Sequence, residues 1–202
     1  MDKIVIPGTN LKVSKFIFGT ANLFGVGSKT ERVNLLKAAV NAGFTHFDTA
    51  PYYGFGLSEK DLGEILKEGT ELTITTKVGL YPAGGVDQSY PTIFLRKAFG
   101  KAIPPLSKPY VDFSIAKAQE SREKSLTNLK RSYIDLYMIH DPNHDLLSTD
   151  EWVQWLEKIK REGFIGDFGI ASSVECITPF LEDKISPTNV LQIYDSLENR
   201  QA

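Results

Sequence analysis

The arrangement of apolar and polar residues along the chain alternates between two periods. In segments with helical spacing, such as 31–43, apolar residues including Val33, Leu36 and Val40 fall on one face. Between these segments lie apolar runs of strand length, at residues 16–20, 45–49, 72–77, 133–140, 164–172 and 189–194. Strands that alternate with helices are typical of parallel βα units, so the pattern predicts an α/β fold with a parallel sheet.

Turn and capping signals predict where the first elements begin and end. The segments KIVIP and LKVS flank the turn residues 8–10, which predicts a small N-terminal β-hairpin. Ser28 and Glu31 predict a capping box at the start of the first helix, and Gly43 suits its end.

Three further segments have helical spacing. Residues 58–69 begin with Ser58 and Asp61, which predict a second capping box. Residues 117–132 and 149–163 precede the fourth and fifth apolar runs. Each predicted helix therefore leads into the next predicted strand.

Reactive polar side chains end three of the predicted strands. Asp48, Lys77 and His140 each close an apolar or β-branched run, and Tyr53 lies in the loop after Asp48. In a barrel of parallel strands, the carboxyl ends lie on one face, which builds the active site. The pattern therefore predicts that an acid, a phenol, an amine and an imidazole converge at one mouth.

Such a set suits proton transfer beside a polarised oxygen. A free tyrosine has a pKa of about 10, too high for an efficient acid–base group at neutral pH. The Lys77 ammonium is expected to lower the pKa of Tyr53, and Asp48 to hold that lysine charged and oriented. His140 is expected to donate a hydrogen bond to an oxygen that gains charge during the reaction.

Charge and hydropathy narrow the classes of partner. The chain has 202 residues, a formal net charge of −2 and no basic stripe, so nucleic acid is not an expected partner. Its start does not have the pattern of a signal peptide. No apolar run approaches the roughly 18 residues of a membrane span, so no membrane partner is expected.

Cysteine and histidine usage bears on location and metals. Cys176 is the only cysteine, which excludes an internal disulfide and favours a reducing compartment, by default the cytoplasm. The three histidines have no metal-ligand spacing, so no metal site is expected.

Four motifs in order along the chain resemble the signatures of the aldo-keto reductase superfamily: FDTAPYYGFGLSEKDLGEIL, ITTKV, YIDLYMIHDP and FIGDFGIAS. The resemblance implies a (β/α)8 TIM barrel that binds NAD or NADP across its mouth. It implies hydride exchange between the nicotinamide and a carbonyl or alcohol carbon, with Asp48, Tyr53, Lys77 and His140 catalytic. Tyr53 would pass the proton. The long connection 80–122, followed by the segment that runs to residue 145, looks most like the branch that oxidises aldoses or pyridoxal.

The same resemblance implies a set of cofactor contacts near the nicotinamide. Residues at the first strand end would line its ribose, and residues after the fifth and on the sixth strand would hold its carboxamide. Position 173 departs from the family pattern, which has asparagine there, and serine has a shorter reach. The implied residues are Gly19, Thr20, Ala21, Ser172, Ser173, Gln192 and Tyr194.

Two features differ from a closed barrel. A closed barrel has eight strands and typically ~250 residues, so residues 1–202 are expected to form one incomplete barrel domain, truncated after about six βα units. The connection 80–122 is unusually long and is expected to lie over the mouth. Unpaired outer strands would also offer edges for self-association.

Three functional hypotheses remain open from the sequence. The first is an NAD(P)-dependent oxidoreductase for a small-molecule carbonyl or sugar, with the substrate unspecified. The second is a non-catalytic cofactor- or partner-binding subunit derived from such an enzyme, motivated by Ser173 and the missing units. The third is a Schiff-base lyase, because a lysine at a barrel strand end can attack carbonyls.

Structural interpretations exist for the same residues taken singly. Asp48 can be a turn residue, Lys77 a solvated strand end and His140 a strand cap. His144, in a polar loop, is either a loop residue or a substrate contact. The residues expected to serve packing alone are His46, Trp152, Trp155 and Cys176, the last as a small apolar filler.

Overall fold

The computed structural model describes residues 1–66, 71–85, 88–100, 103–147 and 149–194. In chain order its strands are β1 (Lys3–Val5), β2 (Lys12–Ser14), β3 (Phe18–Gly19), β4 (His46–Asp48), β5 (Thr73–Val78), β6 (Leu80–Tyr81), β7 (Tyr110–Val111), β8 (Ile134–His140), β9 (Ile165–Ser172) and β10 (Val190–Ile193). Its helices are α1 (Lys29–Asn41), α2 (Leu57–Leu62), α3 (Tyr90–Phe99), α4 (Ile115–Leu129), α5 (Thr149–Arg161) and α6 (Val174–Glu182).

A curled parallel sheet forms the centre of the described structure. Its six strands follow the order β10-β9-β8-β5-β4-β3, and each neighbouring pair is parallel. All six predicted strands are present, so the predicted α/β architecture, a TIM-type barrel represented by six strands, is confirmed. β3 and β10 are the outer strands, and self-association through them stays a prediction.

The predicted N-terminal hairpin is confirmed, and it packs against the sheet. β1 and β2 pair antiparallel, with Ile4 opposite Val13. Ile6 and Leu11, which flank the turn, pack in a cluster with core residues of β8, β9 and β10. Gly8 adopts a φ of +79°, and a Cβ there would come within 2.9 Å of the Asn189 carbonyl oxygen. Glycine is therefore required at this close approach.

The first predicted capping box is present and the second is not. Ser28 and Glu31 cap α1 reciprocally. α2 instead begins after Gly56, which has a left-handed backbone, and no side chain caps it. The Ser58 hydroxyl donates to the Thr20 carbonyl oxygen at 3.2 Å. The prediction of a Ser58–Asp61 box is wrong because burial recruits both side chains to longer-range partners.

The second helix is also shorter than predicted. It ends at Leu62, and residues 67–69 of the predicted span lie outside the described residues. Asp61 accepts from Arg32 Nε at 2.5 Å, and both side chains are buried. This ion pair joins α2 to α1.

The long connection contains regular structure where the sequence predicted a loop. β6 and β7 pair antiparallel, and α3 lies between them in the sequence. α4 already begins at Ile115. The buried Ile93 of α3 packs in a cluster with Phe24 and Phe55. This contact places α3 beside the loop that carries Tyr53. A covering role for residues 80–122 stays a prediction.

Tryptophans of α5 anchor the largest apolar cluster, as predicted. Trp152 and Trp155 are buried, and Trp152 Nε1 donates to the Phe113 carbonyl oxygen at 2.9 Å. Cys176 is exposed on α6, so its prediction as an apolar filler is wrong. No helix in the described ranges is long and apolar enough to cross a membrane.

Candidate functional site

Parallel register brings three strand ends to the same edge of the sheet. Asp48 is the last residue of β4, His140 is the last of β8, and Lys77 lies one position before the end of β5. Lys77 Nζ donates to Asp48 Oδ1 at 2.5 Å and to the Thr49 carbonyl oxygen at 3.0 Å. The predicted convergence of the acid and the amine is therefore observed in the structure.

Tyr53 reaches this edge from a tight turn. The chain leaves β4 through a 3-10 turn in which Gly54 and Phe55 both have positive φ. Lys77 Nζ lies 3.3 Å from the Tyr53 hydroxyl oxygen, to which it donates. The rings of Tyr53 and His140 meet edge to face, with centroids 5.9 Å apart. All four predicted catalytic residues thus lie together.

Burial governs the acid–base properties of Tyr53. Desolvation raises the pKa of Tyr53 above its ordinary value, and the charges of Asp48 and Asp141 add to the shift. The expected lowering of this pKa is not met, because desolvation, the largest cause, disfavours the phenolate. Burial also disfavours the charged form of Lys77 and therefore lowers its pKa, while the Asp48 carboxylate opposes that shift. The phenol is therefore a protonated donor at neutral pH.

His140 is a neutral imidazole. Burial, and then the Lys77 charge, lower the pKa of His140 from 6.5 to about 3. Its Nδ1 atom is buried and has no hydrogen-bond partner in the described part of the chain. A neutral ring supplies one N–H donor and one acceptor. His140 can therefore donate a hydrogen bond to a ligand oxygen without carrying charge.

His46 is a second buried, neutral histidine. Both of its ring nitrogens contact threonine hydroxyls, which is consistent with the predicted structural role. Its ring nitrogens lie 2.7 Å from Thr73 Oγ1 and 2.8 Å from Thr75 Oγ1. Burial lowers the pKa of His46 from 6.5 to about 4. The two threonines of β5 thus fix the ring away from solvent.

Lowering the pH from about 7 to about 5 should reduce the free energy of unfolding by about 2 kcal/mol for each of His46 and His140. Below pH 6.5 the unfolded chain binds protons that the folded chain excludes. Stability therefore falls as the pH falls, and levels off below the folded-state pKa values. Urea unfolding across this range measures the effect. His46→Asn should show about half the pH dependence, and an unchanged dependence would contradict a neutral His46.

The residues predicted to line the nicotinamide ribose lie at the end of β3. Thr20 is buried, and its hydroxyl donates to the Asp48 carbonyl oxygen at 3.0 Å. Gly19 and Ala21 are exposed, and a Cβ at Gly19 would meet nothing within 4 Å. This strand end therefore borders open space beside Asp48. Cofactor binding by these residues stays a prediction.

The residues predicted to hold the nicotinamide carboxamide make three different sets of contacts. Gln192 Nε2 donates to Asp48 Oδ2 at 3.2 Å, so β10 is linked directly to one of the four predicted catalytic residues. Ser173 is the N-cap of α6, where its hydroxyl accepts from the Cys176 N–H. The hydroxyls of Ser172 and Tyr194 both donate to Asp141. The roles of all four in binding stay predictions.

Asp141 is a site residue that the sequence pattern did not identify. It follows His140 directly and has a φ of +46°, in the left-handed region. The sequence signal was limited to an acid before Pro142, which reads as an ordinary turn. Its importance depends on hydrogen bonds from strands that are distant in sequence.

Tyr53 is one of the residues that line a cavity of about 360 Å³. Its volume is in the range of small-molecule sites. Ser107 brings the long connection to its wall. The lining residues are Ala21, Asn22, Tyr52, Tyr53, Gly54, Phe55 and Ser107. A small ligand in this cavity would contact Tyr53, which is half-buried.

Comparison with known proteins places this arrangement in a family. The model of the Aldo/keto reductase family matches residues 15–201. The chain belongs to the aldo/keto reductase family. Among solved structures, the holo form of the aldo-keto reductase AKR11C1 from Bacillus halodurans is similar, with a TM-score of 0.74 and 27% identity. The alignment covers 95% of this chain and 56% of that protein.

Curated relatives of this aldo/keto reductase chain include sugar dehydrogenases. L-galactose dehydrogenase from Arabidopsis thaliana is 30% identical over 194 residues, covering 92% of this chain and 53% of the relative. D-threo-aldose 1-dehydrogenase from Pseudomonas sp is 35% identical over 157 residues, covering 76% and 47%. The chain thus spans about half the length of these relatives.

Two further site predictions concern metals and His144. In the described ranges, no group of three or more His, Cys, Asp or Glu side chains could hold a metal ion. His144 Nε2 lies 3.0 Å from Asp183 Oδ2, and its ring packs edge to face on Phe180. A substrate contact by His144 stays a prediction.

Proposed function

We propose that this chain carries the proton-transfer centre of an NAD(P)-dependent oxidoreductase that interconverts a small carbonyl compound and its alcohol. One observation carries the proposal: Lys77 Nζ hydrogen-bonds both Asp48 and the Tyr53 hydroxyl in a buried site. That contact gives the phenol a positive neighbour which stabilises the phenolate left after proton donation. Burial raises the pKa of Tyr53, and without that neighbour its phenolate would be less stable still.

The residues present fit a nicotinamide in their donor and acceptor chemistry. The carboxamide of that group needs partners for its N–H and C=O groups, and Gln192, Ser172 and Asp141 offer an amide, a hydroxyl and a carboxylate at adjacent strand ends. Gly19 leaves open space at the other end of the site. When bound, the nicotinamide supplies or accepts the hydride.

The remaining steps belong to this chain's own side chains. In reduction, Tyr53 donates its proton to the carbonyl oxygen, and in oxidation the phenolate takes the proton back. Lys77 stabilises the phenolate, and Asp48 holds the lysine in place. His140, neutral and buried, donates a hydrogen bond to the oxygen as charge develops there. The preference between NAD and NADP is left open in this proposal.

The class of substrate is proposed from the cavity and the relatives. Tyr52, Phe55 and Ser107 line the same cavity as Tyr53. Aromatic faces with a few polar groups suit a small aldehyde or an aldose. The relatives named as L-galactose and aldose dehydrogenases support the sugar class. A cytoplasmic location stays a prediction from the single cysteine.

Mixing the folded chain with NADPH or NADH and a panel of aldehydes and aldoses tests the proposal. We expect carbonyl-dependent loss of reduced-nicotinamide absorbance. Saturable cofactor binding without turnover on any carbonyl would favour the non-catalytic subunit. A substrate adduct trapped on Lys77 by borohydride would favour the lyase, and absence of that adduct removes it.

A further inference from the structure

Asp141 is held beside His140 by hydrogen bonds with three residues. Its N–H donates to the Ala171 carbonyl oxygen at 2.9 Å. Its Oδ1 accepts from the Ser172 hydroxyl at 2.9 Å, and both its carboxylate oxygens lie 3.2 Å from the Tyr194 hydroxyl oxygen. A left-handed backbone is tolerated better by aspartate than by most residues. The carboxylate is therefore held in a defined position by the ends of β9 and β10.

The Asp141 carboxylate adds an uncompensated negative charge next to the four predicted catalytic residues. The Asp48 carboxylate and the Lys77 ammonium form an ion pair and cancel. His140 is neutral, and its Nε2 lies 3.9 Å from Asp141 Oδ2. In the described structure the donors to the Asp141 carboxylate are the hydroxyls of Ser172 and Tyr194, which carry no charge. The groups Asp48, Lys77, His140 and Asp141 together therefore carry one net negative charge, which is that of Asp141.

The negative charge of Asp141 acts electrostatically on Tyr53 and Lys77. Its charge contributes to raising the pKa of Tyr53 and opposes the lowering of the pKa of Lys77. Its side chain is 39% exposed, so a ligand can approach it and solvent screens it only in part. A ligand placed against the Tyr53 phenol would therefore lie within this field.

We propose that Asp141 is a specificity-determining residue that makes this site bind the oxidised nicotinamide cofactor more tightly than the reduced one. The inference rests on the proposed function. The oxidised ring carries a positive charge that the reduced ring lacks, while the rest of the cofactor is the same in both forms. A fixed anion beside the ring therefore attracts the oxidised form selectively.

Asp141→Asn in the 202-residue chain tests this directly. Asparagine keeps the shape, the tolerance of a left-handed backbone and the acceptor for Ser172, and removes the charge. Calorimetric titration with each redox form gives two dissociation constants. We expect the ratio of oxidised to reduced Kd to rise about 5- to 20-fold, mainly through weaker binding of the oxidised form.

Asp145→Asn is the matched control, because Asp145 is 93% exposed and lies four residues along the chain. We expect its Kd ratio to equal that of the wild type. A measurement without mutation gives a second test: raising ionic strength should lower the wild-type preference for the oxidised form. A salt-independent ratio would overturn the inference.

The outcomes separate this inference from the proposed function. Equal changes in both Kd values for Asp141→Asn, or the same ratio change in Asp145→Asn, would overturn the role of Asp141 and leave the proposed function standing. Failure of the folded wild-type chain to bind either redox form would overturn both.

Discussion

Replacing Tyr53 with phenylalanine should lower carbonyl turnover by about 1,000-fold, because a positioned general acid typically contributes 10²- to 10⁴-fold. The change removes only the hydroxyl oxygen that lies 3.3 Å from Lys77 Nζ. Ring packing against His140 is retained, so the dissociation constant of the cofactor should stay the same. Steady-state rates with a saturating aldehyde and titration of the cofactor measure the two effects separately.

Tyr52→Phe is the matched control for this prediction. Its ring lies beside that of Tyr53, with centroids 6.4 Å apart, and it lines the same cavity. We expect an effect on KM for the substrate and little change in kcat. Comparable loss of kcat in both variants, or full activity in Tyr53→Phe, would remove Tyr53 as the proton donor.

Replacing Asp61 with asparagine should reduce the free energy of unfolding by about 3–5 kcal/mol. The Arg32 and Asp61 side chains are only 2% and 3% exposed, so the change leaves a buried guanidinium without its counterion. Arg32 also donates to the Gly27 carbonyl oxygen, which cannot neutralise its charge. Urea unfolding monitored by circular dichroism measures the loss.

The double variant Arg32→Met with Asp61→Leu tests the cause. Removing both charges leaves no uncompensated ion, so we expect this variant to be markedly more stable than Asp61→Asn. Asp145→Asn, at an exposed position, should unfold at the wild-type urea concentration. If the double variant is less stable than the single variant, the contribution of Arg32 is packing on its neighbours, and the electrostatic account fails.

The residues at the strand ends were predictable because their signal is local. Asp48 and His140 each close an apolar run, and parallel pairing of neighbouring strands necessarily brings such ends to one edge. Lys77 closes a β-branched run in the same way, and Tyr53 lies in the loop after Asp48. Local periodicity likewise predicted the six strands and the buried tryptophans of α5.

The features that were missed depend on long-range contacts. Asp141 gains its position from Ser172 and Tyr194, which lie 31 and 53 residues away. The local spacing of Ser58 and Asp61 predicts a capping box, whereas the actual partner of Asp61, Arg32, belongs to another helix. The direction of the Tyr53 pKa shift depends on desolvation, which is a property of the folded site and not of the residue spacing.

The most direct test of the proposed chemistry follows a label from the cofactor to the product. Reduced cofactor deuterated at both C4 positions is incubated with the chain and a small aldehyde, and the alcohol is analysed by mass spectrometry. The account predicts that wild-type chain yields alcohol with deuterium on the former carbonyl carbon, and that Tyr53→Phe yields almost none. Unlabelled alcohol, or no alcohol from a folded chain that binds the cofactor, would contradict it.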